Sequence, residues 1–225
     1  MAEVVNTFWS NDHLPQLDIA CMATFKYHDH PVHIWSHTPI KNLPSFVVNK
    51  DANEVLGKSW KIRLNDLRKY SDLFRYSLLS KIGGWWVDTD QACFVTWNFS
   101  SEYVFARDAE VICNGVLRLP SRDFATILRD EATALLEKDP KADIGPYFLN
   151  DRVYRHNLQK YAQDPAVFIP IYYKDRHVIC QGGWNPPPNC VGVHIYGWAR
   201  YQKKLTYQND SPMGMVLSIA KLLGY

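Results

Sequence analysis

The chain has 225 residues, 47% of them hydrophobic and 21% charged, with a formal net charge of +2. That is ample apolar material for one core, and it lacks the electrostatic footprint of a nucleic-acid binder. No run of about eighteen apolar residues is present to span a bilayer, and Met1-Ala2-Glu3-Val4-Val5-Asn6 has no basic stretch leading into a long apolar segment, so no secretory signal is read.

Taken in chain order, an extended run from Val4 to Trp9 precedes a helix over about 14–28, where Leu14, Leu17, Cys21 and Phe25 recur at helical spacing. A strand follows over about 31–36. His28, His30, His33 and His37 flank it, lack the H-E-x-x-H arrangement, and read as structural or solvent-facing. Phe46-Val47-Val48 is a short apolar run. A helix from Asn65 to Ile82 carries Leu67, Phe74, Leu78 and Ile82 as a core stripe and stops at Gly83-Gly84. Trp85 to Asp90 then reads as extended, and Tyr103-Val104-Phe105 and Val111-Ile112-Cys113 as further strands. A helix over about 121–138 has Asp123 in its first turn. Gly145-Pro146 opens another helix that runs to Tyr161. Val167 to Tyr173 is strand-like despite Pro170. Gln181 to Asn189, which holds three consecutive prolines, is a lid, an acceptor loop or a constrained surface loop. Val191 to Ile195 is the last strand, and a helix over about 212–223 follows.

This alternation predicts a single α/β domain over residues 1–225, a Rossmann-like α/β/α sandwich around a mostly parallel sheet. The five cysteines (Cys21, Cys93, Cys113, Cys180 and Cys190) are scattered and form no metal-binding pattern. They read as reduced thiols of a cytoplasmic protein, expected as a monomer.

The chemistry concentrates between Asp72 and Asp90. Asp72 and Arg75 stand three residues apart on a helix and share a face. An ordinary surface pair of this kind contributes little. The alternative is that the helix presents them to a sugar, the carboxylate accepting from hydroxyls and the guanidinium donating to hydroxyls or phosphate. If Trp85 to Asp90 is extended, Asp88 and Asp90 fall on one side, about 7 Å apart along the strand, with Thr89 facing away. Such a pair suits Mg²⁺ or Mn²⁺ held jointly with substrate phosphates. Taken alone it reads equally well as two surface acids on a turn. His194, in Val193-His194-Ile195, reads by default as a buried structural histidine. Trp9 ends a strand-like run, where open α/β sheets bind their ligands.

The whole run Ser71-Asp72-Leu73-Phe74-Arg75-Tyr76, an apolar helical stretch, Gly83-Gly84-Trp85-Trp86 and then Val87-Asp88-Thr89-Asp90 resembles the signature of the DXD-containing sugar-transferase family. That family includes initiating mannosyltransferases, capsular-polysaccharide transferases, the glucosylating domains of clostridial toxins and, less closely matched, small algal-virus glycosyltransferases. The resemblance implies a GT-A fold, a nucleotide-sugar donor (UDP-linked first, GDP-linked next), Mn²⁺ or Mg²⁺, and a glycan or other hydroxyl acceptor. It implies transfer of a hexose or deoxyhexose with retention. By the same resemblance Asp72 and Arg75 contact the sugar, Asp88 the ribose and a metal-bound water, and Asp90 the metal. Thr7-Phe8-Trp9 receives the nucleobase, Asn114-Gly115 is a small-residue turn lining the sugar, and Gly145-Pro146 lies toward the acceptor. Similar members carry an aliphatic-His-aliphatic-aromatic run, which puts a third-ligand role for His194 ahead. Tyr196 and Trp198 would then close over the diphosphate.

If the reaction inverts, a carboxylate base is required, and Asp151 is the candidate. Two other readings stay open. A haloacid-dehalogenase-like phosphatase also places D-x-D after an apolar strand, but Ala92 stands where such an enzyme has Thr or Val. A sugar- or nucleotide-binding module with a dead site is opposed by the complete set of acids.

Overall fold

A computed structural model describes residues 2–121, 123–197 and 206–225. Its main sheet has six strands: β1 (Val5–Phe8), β2 (Val32–Ser36), β3 (Val47–Asp51), β4 (Gly84–Val87), β6 (Val104–Asp108) and β7 (Val111–Leu119), in the spatial order β3-β2-β1-β4-β7-β6. β3, β2, β1 and β4 run parallel, while β7 is antiparallel to both β4 and β6. A second, two-stranded sheet pairs β5 (Gln91–Cys93) with β8 (Gly192–His194).

Both faces of the main sheet are covered, so its central strands are buried throughout rather than alternating with solvent. The tryptophan pair shows the alternation that remains. Trp85 enters the core on the side of α1 (Gln16–Tyr27) and α7 (Pro212–Leu222). Trp86 enters the opposite core beneath α3 (Leu67–Ile82), α4 (Phe124–Lys138) and α5 (Pro146–Arg155). Each indole is 1% exposed, and truncation of either would cost about 3–5 kcal/mol. The sandwich read from the alternation is therefore present.

Several local expectations need correction. The helix expected from Asn65 to Ile82 is α3, which starts two residues later, after Asp66, whose carboxylate accepts from Arg68 N at 2.9 Å; a separate helix not read from the sequence, α2 (Lys58–Leu64), precedes it and ends on Asn65 in the left-handed conformation. Leu67 and Ile82 are exposed, and the buried face runs instead through Tyr70, Leu73, Phe74, Leu78 and Leu79. α3 stops at Gly83, whose φ is +65° and where a Cβ would stand 2.7 Å from Ser121 N. A side chain is excluded there twice, by conformation and by space. α5 ends at Arg155 rather than Tyr161, past His156 and the left-handed Asn157. Val167 to Tyr173 forms no strand: the short helix α6 (Pro165–Phe168) gives way to bends and a 3₁₀ turn over Tyr173–Cys180. His30 is buried and structural, bonded to Glu3 O and Trp97 N. All five cysteines are free thiols.

Candidate functional site

β4 ends at Val87, so Asp88-Thr89-Asp90 is a turn and not the end of a strand. Gln91 N closes it by donating to Asp88 O at 3.0 Å. The two carboxylates are thus brought together by a reversal of the chain, not by the two-residue repeat of a pleat. β7 runs beside the turn: Val116 pairs with Val87, and Asp88 N donates to Gly115 O at 2.8 Å. Asn114-Gly115 is accordingly part of a nine-residue strand rather than the expected small-residue turn. Gly115 has a spatial reason to be glycine, since a Cβ there would lie 3.2 Å from Asp88 Oδ2.

The third member arrives from far along the chain. β8 lies antiparallel to β5 with His194 opposite Gln91, and Ile195 N donates to Asp90 O at 2.8 Å. This register sets His194 Nε2 3.1 Å from Asp90 Oδ1. One ligand atom from each of Asp88, Asp90 and His194 lies within 4.8 Å of the others. Neighbouring ligands on an octahedral ion with bonds of about 2.1 Å are about 3 Å apart, so the Asp90–His194 spacing fits a shared divalent cation. Two hard carboxylate oxygens and an imidazole suit Mn²⁺ or Mg²⁺, the nitrogen favouring Mn²⁺.

α3 contributes a second, buried group. Arg75 is 5% exposed, and its guanidinium lies over the Trp86 ring, 4.9 Å from the centroid. It pairs with Asp72 Oδ1 and Asp88 Oδ1, each at 3.0 Å, and also donates to Asn114 O and to Ser71. Its donors are thus turned onto protein acceptors and not toward open space. Asn114 Nδ2 donates to Asp72 Oδ1 at 2.7 Å, and Trp86 Nε1 to Asp88 Oδ1 at 3.1 Å. Burial outweighs the attraction of Arg75 and, with the nearby charges of Asp88 and Asp143, pushes the Asp72 carboxyl up to about 7.

Gly145 caps α5 against this carboxylate: its Cβ, if present, would sit 3.5 Å from Asp72 Oδ2 and 3.2 Å from Asp143 Oδ1. Tyr76 holds the same segment by donating to Ile144 O at 3.0 Å. Asp143, Trp86 and Tyr76 were given no part by the sequence reading. Trp86 and Tyr76 lay within the motif, but nothing in a linear pattern says which acid an indole will reach.

Other expected residues lie differently. Phe8 is buried among Tyr70, Phe74 and His37, and Thr7 is 1% exposed with no hydrogen-bond partner for its hydroxyl. Neither offers a face to a base. Trp9 stays half-buried at the carboxyl end of β1, its indole N–H donating to His13 O at 2.7 Å. Thr89 is buried within its turn. Tyr196 is buried against the His194 ring, 4.3 Å between centroids, and its hydroxyl donates to Ile171 O. It backs the histidine rather than closing over a ligand. Trp198 lies outside the described residues. Asp151 is bound to Arg152 and Arg155 in a half-exposed group of ion pairs, and is not among the residues gathered here. The Gln181–Asn189 loop borders a groove that none of these acids lines. With Phe94, Cys190 and two α7 residues it walls this apolar groove of about 550 Å³.

Residues 18–105 match the family described as "Glycosyltransferase sugar-binding region containing DXD motif". No curated protein matches the chain. Among solved structures, it is similar to a PaToxG glycosyltransferase, at 15% identity and a TM-score of 0.57, covering 69% of each chain. It is also similar to the ligand-free glycosyltransferase domain of the YGT toxin, at 9% identity and a TM-score of 0.52, with 76% of this chain and 81% of that one covered. A third is the apo glycosyltransferase GlyE of Streptococcus pneumoniae TIGR4, at 9% identity and a TM-score of 0.50, with 96% of this chain on 59% of that one. At these identities the likeness is one of fold, and the fold is of the GT-A glycosyltransferase type. The matched DXD region and the fold together support a glycosyltransferase with an Asp-Asp-His group able to hold a metal ion. Among the described residues no helix is long and apolar enough to cross a membrane.

Proposed function

We propose that this protein is a metal-dependent glycosyltransferase that moves a hexose or deoxyhexose from a UDP-sugar to a glycan or other hydroxyl acceptor, with retention. The observation that carries the reading is the convergence of Asp88, Asp90 and His194 on one point beside the buried Asp72–Arg75–Asn114 group. Asp88, Asp90 and His194 would hold Mn²⁺. A divalent ion there supplies positive charge to the leaving diphosphate.

The chain's own residues then divide the remaining work. Asp72, with one oxygen already accepting from Asn114 and Arg75, offers the other to sugar hydroxyls. Arg75 is a positioning residue: it holds Asp72 and Asp88 in register and needs no donor left over for substrate. Trp86 adds a second donor to the same Asp88 oxygen. The base is assigned to Trp9, whose half-buried ring at the carboxyl edge of β1 supports that reading.

Retention asks for no protein carboxylate behind the sugar. The engagement of Asp151 with two arginines is consistent with that. Should the products be inverted, the base would be assigned to Asp143, which is exposed and lies with Asp72 around Gly145.

The test is a panel of UDP- and GDP-sugars with Mn²⁺, read by slow donor hydrolysis, thermal shift and the anomeric configuration of any product. Stabilisation and turnover with one UDP-sugar are expected. Failure of every donor to bind or react would sink the reading.

A further inference from the structure

The chain as a whole is only mildly cationic, but its charge is unevenly placed. Residues 58–69, Lys-Ser-Trp-Lys-Ile-Arg-Leu-Asn-Asp-Leu-Arg-Lys, hold five cations and one acid, a net charge of +4 against +2 for all 225 residues. The remainder of the protein is therefore net negative. The same segment forms α2 and the first turn of α3, and it exposes apolar side chains among those cations. Ile62 is 79% exposed and Leu67 46%.

The helix geometry explains the display. At about 100° per residue, Lys58, Ser59, Ile62 and Arg63 share one face of α2, and all four are exposed, while Leu64 on the far side is buried as the anchor. The chain turns at the left-handed Asn65, and Leu67 and Arg68 continue the exposed surface. The ridge is fixed to the body from two directions. Arg63 lies over Trp60 and donates to Glu137 O, and Lys69 donates to Pro140 O. It also stands on the carboxyl edge of the sheet, since Lys61 Nζ reaches Ser10 O just beyond β1. That is the edge from which the Asp88–Asp90 turn emerges.

We infer that this ridge docks the protein on an anionic phospholipid surface, with Ile62 and Leu67 entering the interface and Lys58 and Arg68 meeting the headgroups. The pairing of charge with exposed aliphatic groups selects this partner. A polyanion in water gains from the cations but nothing from Ile62 and Leu67, whereas a bilayer interface rewards both. Docking by this edge would bring the cleft close to the lipid, so hydroxyl acceptors carried on a membrane come within reach. The inference rests on the surface alone and not on the reading of the cleft.

The test is co-sedimentation of the whole chain with phosphatidylcholine vesicles, with and without phosphatidylserine, at low and high salt. Binding only to the anionic vesicles, weakened by salt, is expected. Lys58→Glu with Arg68→Glu should lower the partition about a hundredfold, and Ile62→Ser or Leu67→Ser by about tenfold. Melting temperatures and donor hydrolysis without vesicles should stay unchanged in all these variants. No binding, equal binding to neutral vesicles, or binding to heparin and vesicles alike that Ile62→Ser and Leu67→Ser leave untouched would each overturn the proposal.

Discussion

The two groups of acids that meet at Arg75 are held in opposite ways. Asp72 projects from a sixteen-residue helix packed along its length on the sheet, with a hydrogen-bonded neighbour and a salt bridge fixing one oxygen. Asp88 and Asp90 sit on a short turn between β4 and β5, and their third companion comes from a three-residue strand. The helical pair is held by protein partners on both sides, Asn114 of β7 on Asp72 and Asp88 on Arg75. The turn group crowds two carboxylates beside an imidazole, an arrangement that gains most from a bound cation. Under the proposed function the first region stays in place, and the second would be completed by a metal ion.

Asp90→Ala bears most directly on that contrast. Turnover should fall by about a thousandfold or more, and the rise in melting temperature on adding Mn²⁺ should disappear while the metal-free melting temperature changes little. Metal-dependent activity that survives would move the cation elsewhere. Arg75→Lys comes next and attacks the rigid group. A lysine cannot span Asp72, Asp88 and Asn114 O at once, so a stability loss of about 3 kcal/mol and a rate loss of about a hundredfold are expected. Urea unfolding and donor hydrolysis measure the two, and a stable, active variant would show that the helix needs no such clamp. Gly115→Ala presses a methyl group against Asp88 Oδ2. The expected result is a KM raised about tenfold with the fold intact, and an unchanged KM would mean the turn gives way freely.

The smallest effect sharpens the contrast through pH. Burial raises Asp72 from 3.8 to about 7, so the folded state holds its proton more tightly than the unfolded chain. The stability this contributes is fully present below the unfolded value and is lost as pH rises through about 7. Asp72→Asn, which keeps the neutral shape, should therefore gain in melting temperature relative to the parent between pH 4 and pH 8. Parallel melting curves across that range would show that Arg75 compensates the ionised carboxylate fully.

Legibility in the sequence followed locality. The alternation of strands and helices, the two-residue spacing of the acids and the helical spacing of Asp72 and Arg75 are short-range patterns, and each led to the right part of the fold. The geometry of Asp88-Thr89-Asp90 did not follow, because a strand and a turn can both bring acids two apart to one side. Asn114 was recognised, but as part of a turn; its hydrogen bond to Asp72 depends on β7 running antiparallel beside β4. Pro146 marked the start of α5 correctly, yet Gly145's approach to Asp72 is visible only once α5 is laid beside α3. His194 was reached by resemblance, since nothing local to Val193-His194-Ile195 points to an acid 104 residues away.

That separation has a consequence in time. All six strands of the main sheet are in hand once Leu119 has been made, and with them both acids of the turn. His194 belongs to a strand that follows some 75 residues later. Translation at about 5–20 residues per second leaves an interval of roughly four to fifteen seconds in which a growing chain has its sheet and its carboxylates but no imidazole. Bringing the ends of such a loop together then costs about 4 kcal/mol in chain entropy, which pairing of β8 with β5 must offset. The growing chain thus holds the strands of its main sheet and both carboxylates of the turn before it holds the imidazole, and α7, which covers one face of that sheet, follows later still.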